Sequence, residues 1–177
     1  MNSFDIIKKL NLQAHPEGGY YKEIYRSKGI IRTSSLSQDI KGERNYSTAI
    51  YFLLAKNQFS AFHKIKQDEI WHFYSGTTLL LHTINIKGEY KLIRIGQNLK
   101  NEEHFQYVVP AGTLFASEVE DKNSFSFCGC TVSPGFDFKD FQMPSRKDLI
   151  KSYPKHSENI MKLTHDKWFQ NSIKSNS

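Results

Sequence analysis

Residues 60–76, SAFHKIKQDEIWHFYSG, have the pattern of two short β-strands joined by a turn. His63 lies in the first apolar run, the polar pair 67–68 interrupts it, and Glu69 opens a second run that ends at Gly76. Short runs rich in aromatic and β-branched residues, bounded by polar residues or glycine, are typical of strands. The stretch therefore predicts one strand with an imidazole and a following strand that begins with a carboxylate.

The rest of the chain repeats this pattern of short runs between turn residues. Turn signals lie at 87–89, 96–98, 110–112 and 121–123, whereas the polar segment 28–45 is predicted to be a long surface loop. Many short strands, few helices and no internal repeat indicate an all-β sandwich or jelly roll. The predicted strands cover residues 20–26, 47–55, 60–65, 69–74, 78–86, 90–95, 105–109, 113–118 and 125–132.

Helices are predicted at the two ends of the chain. The first dozen residues have a ragged apolar face with Ser3 as N-cap. Ser145, followed three residues later by Asp148, resembles a helix start. Apolar residues on both sides of Pro154 then predict two short helices.

Length and composition indicate one globular domain. The 177 residues suit a single core, with 38% hydrophobic and 24% charged residues. The net charge is +6, but the positive residues are dispersed, so we do not expect nucleic-acid binding. No long apolar run is present, so we expect neither a membrane span nor a secretory signal, and a cytoplasmic location. We expect a single domain over 1–177, with a barrel core at about 18–141, a helical segment at about 145–167 and a frayed tail at about 168–177.

The hairpin-like stretch resembles the first motif of the cupin superfamily. In cupins this motif reads Gly, five residues, His-x-His, three or four residues, Glu, six residues, Gly. His63, Glu69 and Gly76 fit it, but Ile65 stands at the position of the second histidine.

The second cupin motif is also incomplete. It reads Gly, five residues, Pro-x-Gly, two residues, His, three residues, Asn. Pro110 and Gly112 fit it, but Phe115 stands in place of the histidine and Val119 in place of the asparagine. The resemblance thus keeps the architecture, while two of the four usual metal-ligand positions hold side chains that cannot bind a metal.

The whole chain resembles one branch of that superfamily, the fifth cupin family, which has no settled activity. The resemblance rests on HPEGGYYKEIYRS, TAIYFLL, FHKIKQDEIWHFYSG, VVPAGTLFASEV and CTVSPGFDFKDF, in this order over about 4–165. It implies a cupin-type double-stranded β-helix, or jelly-roll barrel, with a short N-terminal helix and short C-terminal helices. It also implies a pocket in the barrel mouth and, commonly, a homodimer.

His63 and Glu69 are the predicted catalytic residues. A buried carboxylate is destabilising by several kcal/mol unless it is paired, and His63 is its expected partner. Such a pair has coupled protonation and is suited to general acid–base chemistry. Trp71 and Phe115 are predicted to contact the substrate beside the pair. A structural His–Glu hydrogen bond inside the barrel is the open alternative.

The stretch HPEGGYYKEIYRS, residues 15–27, is predicted to form a strand at the rim of the pocket. Alternation places Tyr21, Glu23 and Tyr25 on one face, which we predict to bind the substrate. The segment also resembles the glycine–aromatic–aromatic–x–Glu strand of the dTDP-sugar epimerases, which are jelly rolls too. Packing across a dimer interface is an equally open interpretation. The opposite face would carry Tyr20, Lys22, Ile24 and Arg26.

Three functions are compatible with these residues. We favour a cupin that binds a small polar metabolite and acts as an isomerase or epimerase without an obligatory metal. One alternative is an atypical metal-dependent cupin, in which His63 and Glu69 would be ligands of a divalent cation. The other is a non-catalytic cupin that binds a ligand.

The remaining candidates are assigned structural or surface positions. His72 has the opposite facing to Glu69 and is expected outside the barrel. Cys128 and Cys130 are expected to be buried thiols, and metal ligation by this pair alone is not expected. The segment 130–141 is expected to cap the barrel with phenylalanines. Surface or dimer-interface positions are expected for His15, His82 and His104.

Overall fold

The computed structural model describes residues 1–165, which form two large antiparallel sheets flanked by helices. The helices are α1 (Ser3–Leu10), α2 (Arg146–Ser152) and α3 (Ser157–Lys162), with 3-10 turns at Thr33–Ser35, Leu99–Asn101, Phe138–Asp140 and Pro154–His156. The strands are β1 (Gln13–Ala14), β2 (Tyr20–Arg26), β3 (Ile30–Ile31), β4 (Arg44–Asn45), β5 (Thr48–Leu54), β6 (Phe59–His63), β7 (Asp68–Gly76), β8 (Leu79–Ile84), β9 (Tyr90–Ile95), β10 (Gln106–Val109), β11 (Leu114–Val119) and β12 (Ser126–Ser133).

The strand order is that of a jelly roll. One sheet has six strands in the order β1-β2-β5-β12-β7-β10, and the other has four in the order β6-β11-β8-β9. The strands of the predicted hairpin-like stretch, β6 and β7, therefore belong to different sheets. Two sheets closed over one core remove most of the exposed strand edges, which stabilises the fold against edge-to-edge pairing. The predicted all-β jelly roll is confirmed.

The main core lies between the two sheets. Phe52 and Trp71 come from the six-stranded sheet, and Leu81, Ile93 and Phe115 from the four-stranded sheet. Each of these side chains is almost completely buried. Because burial of one large apolar side chain contributes about 1.5–3 kcal/mol, this layer dominates the stability of the barrel.

The helices cover the outer faces of the sheets. Leu149 of α2 and Ile160 of α3 pack against Ile84 and Ala116 on the outer face of the four-stranded sheet. Ile6 of α1 packs on the outer face of the six-stranded sheet. The predicted helices at both ends are confirmed, and no helix within residues 1–165 is long and apolar enough to cross a membrane.

Two local predictions were wrong. The N-cap of α1 is Asn2 rather than Ser3, because the Asn2 side chain accepts from the backbone N–H of Asp5 and Asp5 reciprocates. The predicted loop 28–45 contains the paired strands β3 and β4. Burial of Arg44 against Asp140 anchors β4. The predicted frayed tail at 168–177 lies outside the described residues, as do the last two positions of the helical segment.

Candidate functional site

A cavity of about 350 Å³ lies between the two sheets. That volume is at the small end of the range typical of small-molecule sites. Five of the predicted site residues line it, namely His63, Glu69, Trp71, Tyr21 and Glu23. Alternation along β6 and β7 is the reason, since it directs His63, Glu69 and Trp71 into the space between the sheets.

Glu17, which was not predicted as a site residue, also lines the cavity. It belongs to the turn before β2, and its backbone carbonyl accepts a hydrogen bond of 2.8 Å from Ala61 of β6. This docking depends on Gly18, which has φ of 115° and lies so close to β6 that a Cβ would collide with the Phe59 carbonyl. The turn therefore places the Glu17 carboxyl group beside His63.

Glu17 contacts two imidazoles and a hydroxyl. Its Oε2 atom lies 3.1 Å from Nε2 of His63 and 3.3 Å from Nδ1 of His15. Ser60 donates from Oγ to Oε1 of Glu17 at 2.9 Å. The side chains of Glu17, His15 and His63 are each at most 7% exposed, so water screens these contacts very little.

The hydrogen-bond partners fix where the protons lie. Nδ1 of His63 is 2.7 Å from the Ala61 carbonyl oxygen, which can only accept, so Nδ1 carries the proton. In a neutral ring Nε2 is then an acceptor. Oε2 of Glu17 lies 3.1 Å from this acceptor, and Oε1 accepts from Ser60. A proton on Oε2 would relieve the repulsion between the two facing acceptors.

Burial favours the same neutral state. Burial lowers the pKa of His63 to about 4, and burial together with the nearby His63 lowers the pKa of His15 to about 3. Burial and the nearby Glu69 raise the pKa of Glu17 well above its usual range. At neutral pH the two imidazoles are therefore neutral, and the raised pKa of Glu17 favours its protonated form.

Glu69 faces the same cavity without contacting His63. Burial raises its pKa to about 7, and its hydrogen-bond partner is the Cys130 thiol on β12. The expected His63–Glu69 pair is thus replaced by His63–Glu17 and Glu69–Cys130 pairs. The reason is that β6 and β7 lie in different sheets, whereas the turn that contains Glu17 is hydrogen-bonded to β6 beside His63.

Phe115 and Tyr25 differ from their predicted positions. Phe115 pairs with His63 across β11 and β6, and its ring packs on the imidazole at a centroid distance of 4.1 Å instead of lining the cavity. Tyr25 is 54% exposed and lies outside the cavity. A register shift between Glu23 and Tyr25 breaks the alternation of β2, so that Arg26 lines the cavity in its place.

The segment after β12 forms part of the cavity wall as well as a cap. Phe136, Phe138 and Phe141 all line the cavity, and the ring of Phe141 lies 5.3 Å from that of His63. His15, expected at the surface, is buried between these rings and Tyr21, whose centroid is 4.6 Å away. The sequence signal that was missed is Glu17 itself, an acidic residue that lies two positions after His15 and directly before two glycines.

The other histidines and the cysteines are placed as follows. His72 is half-buried outside the cavity, bonded to Thr131, and His104 is exposed, in line with expectation. His82 is buried instead of lying at the surface. The cysteines of β12 are both buried free thiols, as predicted.

Comparison with known proteins identifies the family. Residues 4–144 match the family described as Cupin superfamily (DUF985). The chain belongs to this family. Within it, this cupin is 32% identical over 158 residues to the uncharacterized protein YML079W of Saccharomyces cerevisiae, a match that covers 82% of this chain and 77% of the yeast protein.

Solved structures agree with this assignment. Protein SO0799 from Shewanella oneidensis is 36% identical with a TM-score of 0.83, covering 94% of this chain and 99% of that one. A hypothetical protein from Leishmania major is 31% identical with a TM-score of 0.83, covering 94% and 100%. A variant of the oxalate decarboxylase of Bacillus subtilis, at 13% identity and a TM-score of 0.54 over 89% of this chain and 38% of that one, shares the fold alone.

The residues of this cupin do not fit the metal that many cupins bind. Two ligand positions hold Ile65, whose apolar side chain lines the cavity, and Phe115. Both nitrogens of His63 already have partners in Ala61 and Glu17. Among residues 1–165, no group of three or more histidine, cysteine, aspartate or glutamate side chains has the arrangement of a metal site.

Proposed function

We propose that this cupin is a metal-independent acid–base enzyme of isomerase or epimerase type, acting on a small polar metabolite in the barrel cavity. One observation carries the proposal: Glu17, which lies 3.1 Å from His63, lines the same cavity as Glu69, and burial raises the pKa of both carboxyl groups, that of Glu69 to about 7. Two carboxyl groups with raised pKa values in one cavity are suited to the roles of acid and base.

Glu69 supplies the base. A group whose pKa is near the working pH combines a useful ionised fraction with enough basicity to take a proton. The ionised Glu69 removes a proton from a carbon or oxygen of the substrate, and burial of Glu69 raises its proton affinity. The hydrogen bond with the Cys130 thiol keeps its carboxyl group oriented.

The Glu17–His63 pair supplies the acid. Oε2 of Glu17 lies 3.1 Å from Nε2 of His63, and the raised pKa of Glu17 favours a protonated carboxyl group that can donate to the substrate. When Glu17 loses the proton to the substrate, the Ser60 hydroxyl continues to stabilise the resulting carboxylate. One proton enters and one leaves the substrate, so isomerisation needs no oxidant, reductant or co-substrate.

The residues of the cavity wall are proposed to bind the substrate. Tyr21 and Glu23 bind it at the rim, and Trp71 closes the apolar interior.

A homodimer and a cytoplasmic location remain predictions. The buried free thiols of Cys128 and Cys130 are compatible with a reducing compartment. Native mass spectrometry of the purified protein tests the dimer and reports any co-purified ligand.

Hydrogen–deuterium exchange tests the proposed activity even when the product is unidentified. Metabolites with an acidic C–H group, such as sugars with a carbonyl carbon, are incubated with the protein in D₂O and analysed by mass spectrometry. We expect deuterium incorporation that falls at least about 100-fold in Glu69→Gln and His63→Ala. His104→Ala is the matched control, because His104 is exposed and outside the cavity.

Three results contradict the proposal. Undiminished exchange in Glu69→Gln shows that Glu69 is not the base. Exchange that disappears on chelation and returns with a divalent metal supports the metal-dependent alternative. A co-purified ligand that stays chemically unchanged during long incubation, with no exchange in any metabolite, supports a binding protein without catalysis.

A further inference from the structure

We infer that the ligand of the barrel cavity is a small organic cation, with an ammonium-type group that faces Glu17 and Glu69. This inference rests on the proposed function, since it names the substrate class of the same cavity. It is carried by the charges of the lining residues, by the bonds of Arg26 and by the aromatic walls.

The charge of the cavity is opposite to that of the protein. The chain has a net charge of +6. Of the described residues that line the cavity, one is an arginine and none is a lysine. The acidic side chains on its wall are Glu17, Glu23, Glu69 and Asp137. Glu23 is paired with Arg26, so Glu17, Glu69 and Asp137 are the carboxyl groups of the wall that remain for a ligand, and they favour positive charge over negative charge.

Arg26 does not offer a free cation to an anionic ligand. Its Nε and Nη2 atoms donate to the two carboxylate oxygens of Glu23 at 2.8 and 2.7 Å. Its Nη1 atom donates to Asn45 at 2.9 Å and to the Phe136 carbonyl at 3.1 Å. Because each nitrogen of the guanidinium group already has an acceptor, an anion would have to break existing bonds to bind it.

The depth of the cavity offers acceptors to a cation and no positive charge. His15 and His63 are neutral at physiological pH, because burial lowers the pKa of each to about 3 and about 4. Glu17 and Glu69 are close enough for the charge of Glu69 to raise the pKa of Glu17. A bound ammonium group would favour the ionised form of both carboxyl groups, whereas a carboxylate or phosphate ligand would place a further negative charge beside them.

The aromatic walls strengthen the preference. Tyr21, Phe138 and Phe141 line the cavity, and the negative faces of such rings attract cations. Trp71 also lines the cavity, and its Nε1 atom is buried, so this side chain contributes aromatic surface instead of a hydrogen-bond donor.

Three probes that differ in charge test the inference. Benzylamine, benzyl alcohol and benzoate carry a cation, a neutral group and an anion on the same ring, and their affinities are measured by isothermal titration calorimetry at pH 7.5. We expect benzylamine to bind at least about tenfold more tightly than benzyl alcohol, and benzoate to bind most weakly. Glu69→Gln should remove most of the advantage of benzylamine over benzyl alcohol, whereas His104→Ala should leave it unchanged.

The inference is overturned if benzoate binds as tightly as benzylamine, if the three affinities are equal, or if benzylamine does not bind at millimolar concentration. Binding is measured without turnover, so its outcome is separate from that of the proposed function. Cation-selective binding without deuterium exchange in any metabolite contradicts the enzyme and keeps the ligand class. Exchange that occurs in neutral or anionic metabolites, without cation selectivity, contradicts the ligand class and keeps the enzyme.

Discussion

The two faces of the four-stranded sheet each bury a glutamate against a histidine, in opposite electrostatic surroundings. On the inner face Glu17 lies 3.1 Å from His63 within the cavity. On the outer face, which the C-terminal helices cover, Glu118 lies 3.3 Å from Nε2 of His82. The outer contact is an ion-pair distance without the alignment of a hydrogen bond. The four side chains are all at most 7% exposed.

The pKa of the glutamate shifts in opposite directions at the two places. Burial and Glu69 raise the pKa of Glu17. Burial also acts to raise the pKa of Glu118, but contacts with His82, Lys122 and Lys162 outweigh burial and hold it well below its usual range. Lys162 lies 2.6 Å from Glu118. The contact with His82 and the two lysines therefore together hold Glu118 in its charged form, whereas burial and the neighbouring Glu69 act in the opposite direction on Glu17.

The largest expected difference is in the stability of two matched variants. Glu69→Gln should raise the free energy of unfolding by about 2–3 kcal/mol at pH 8, because Gln avoids the cost of a carboxyl group whose pKa rises from 4.5 to about 7 on folding. Glu118→Gln should lower it by about 1–3 kcal/mol, because the contacts with the buried His82 and with the half-exposed Lys122 and Lys162 are lost. Urea unfolding of both variants checks these signs. Two changes of the same sign would contradict the comparison.

The second difference is in the pH dependence of stability. The folded pKa of Glu17 is raised above the unfolded value of 4.5, so its contribution to stability is present at low pH and is lost as pH rises through the folded pKa. Glu17→Gln should flatten this decline. The measurement is urea unfolding of wild type and variant from pH 5 to pH 8.5. Parallel declines in the two proteins would contradict a raised pKa of Glu17.

The pH dependence of stability below pH 7 also depends on Glu118, His15 and His63. Glu118 has a lowered folded pKa, so its contribution is present above pH 4.5 and is lost as pH falls through the folded value. His15 and His63 have lowered pKa values too, so they stay neutral in the fold while the unfolded imidazoles bind protons below pH 6.5. Between pH 4.5 and 6.5 this loss on acidification offsets the gain from Glu17 and Glu69. We expect the free energy of unfolding of the wild type to be nearly constant between pH 4.5 and 6.5. Below pH 4.5 it should decline, and Glu118→Gln should flatten this decline.

The smallest expected effects come from the lysines of the outer face. Lys122 and Lys162 are 47% and 54% exposed, so solvent screens them. Lys122→Met and Lys162→Met should each lower the free energy of unfolding by less than about 1 kcal/mol. Both should raise the pKa of Glu118, measured by carbon-13 NMR titration. Lys100→Met, at an exposed turn, is the control, and an unchanged pKa in the double variant Lys122→Met/Lys162→Met would contradict the assigned cause.

The predicted strands agree with the structure because their signals are local. The predicted strands 20–26 and 90–95 match β2 and β9, and the other predicted strands differ by one or two residues at an end. Alternation also placed Glu69 and Trp71 on the cavity side and His72 outside it. The same rule failed on β2, because a register shift after Glu23 turns Tyr25 outward and brings Arg26 to the cavity. A bulge of this kind has no clear signal in the side-chain pattern.

The pairing of the charged groups could not be predicted in the same way. His63 and Glu69 are close in sequence, which made them the expected pair, but their strands join different sheets. Glu17 reaches His63 because the turn at Gly18 docks on β6, a contact between segments far apart in the chain. The direction of each pKa shift then depends on burial and on which charges lie near, and both are properties of the assembled barrel.

The amino-acid sequence was sufficient for the jelly roll, the family and most of the side chains that alternation directs inward, because strand length, period and turn residues act between near neighbours. Only the folded barrel established that Glu17 bonds His63, that Glu69 bonds Cys130 and that Arg26 is held by Glu23. Hydrogen bonds and burial depend on distances in space, and those distances exist only after the two sheets have closed over the cavity.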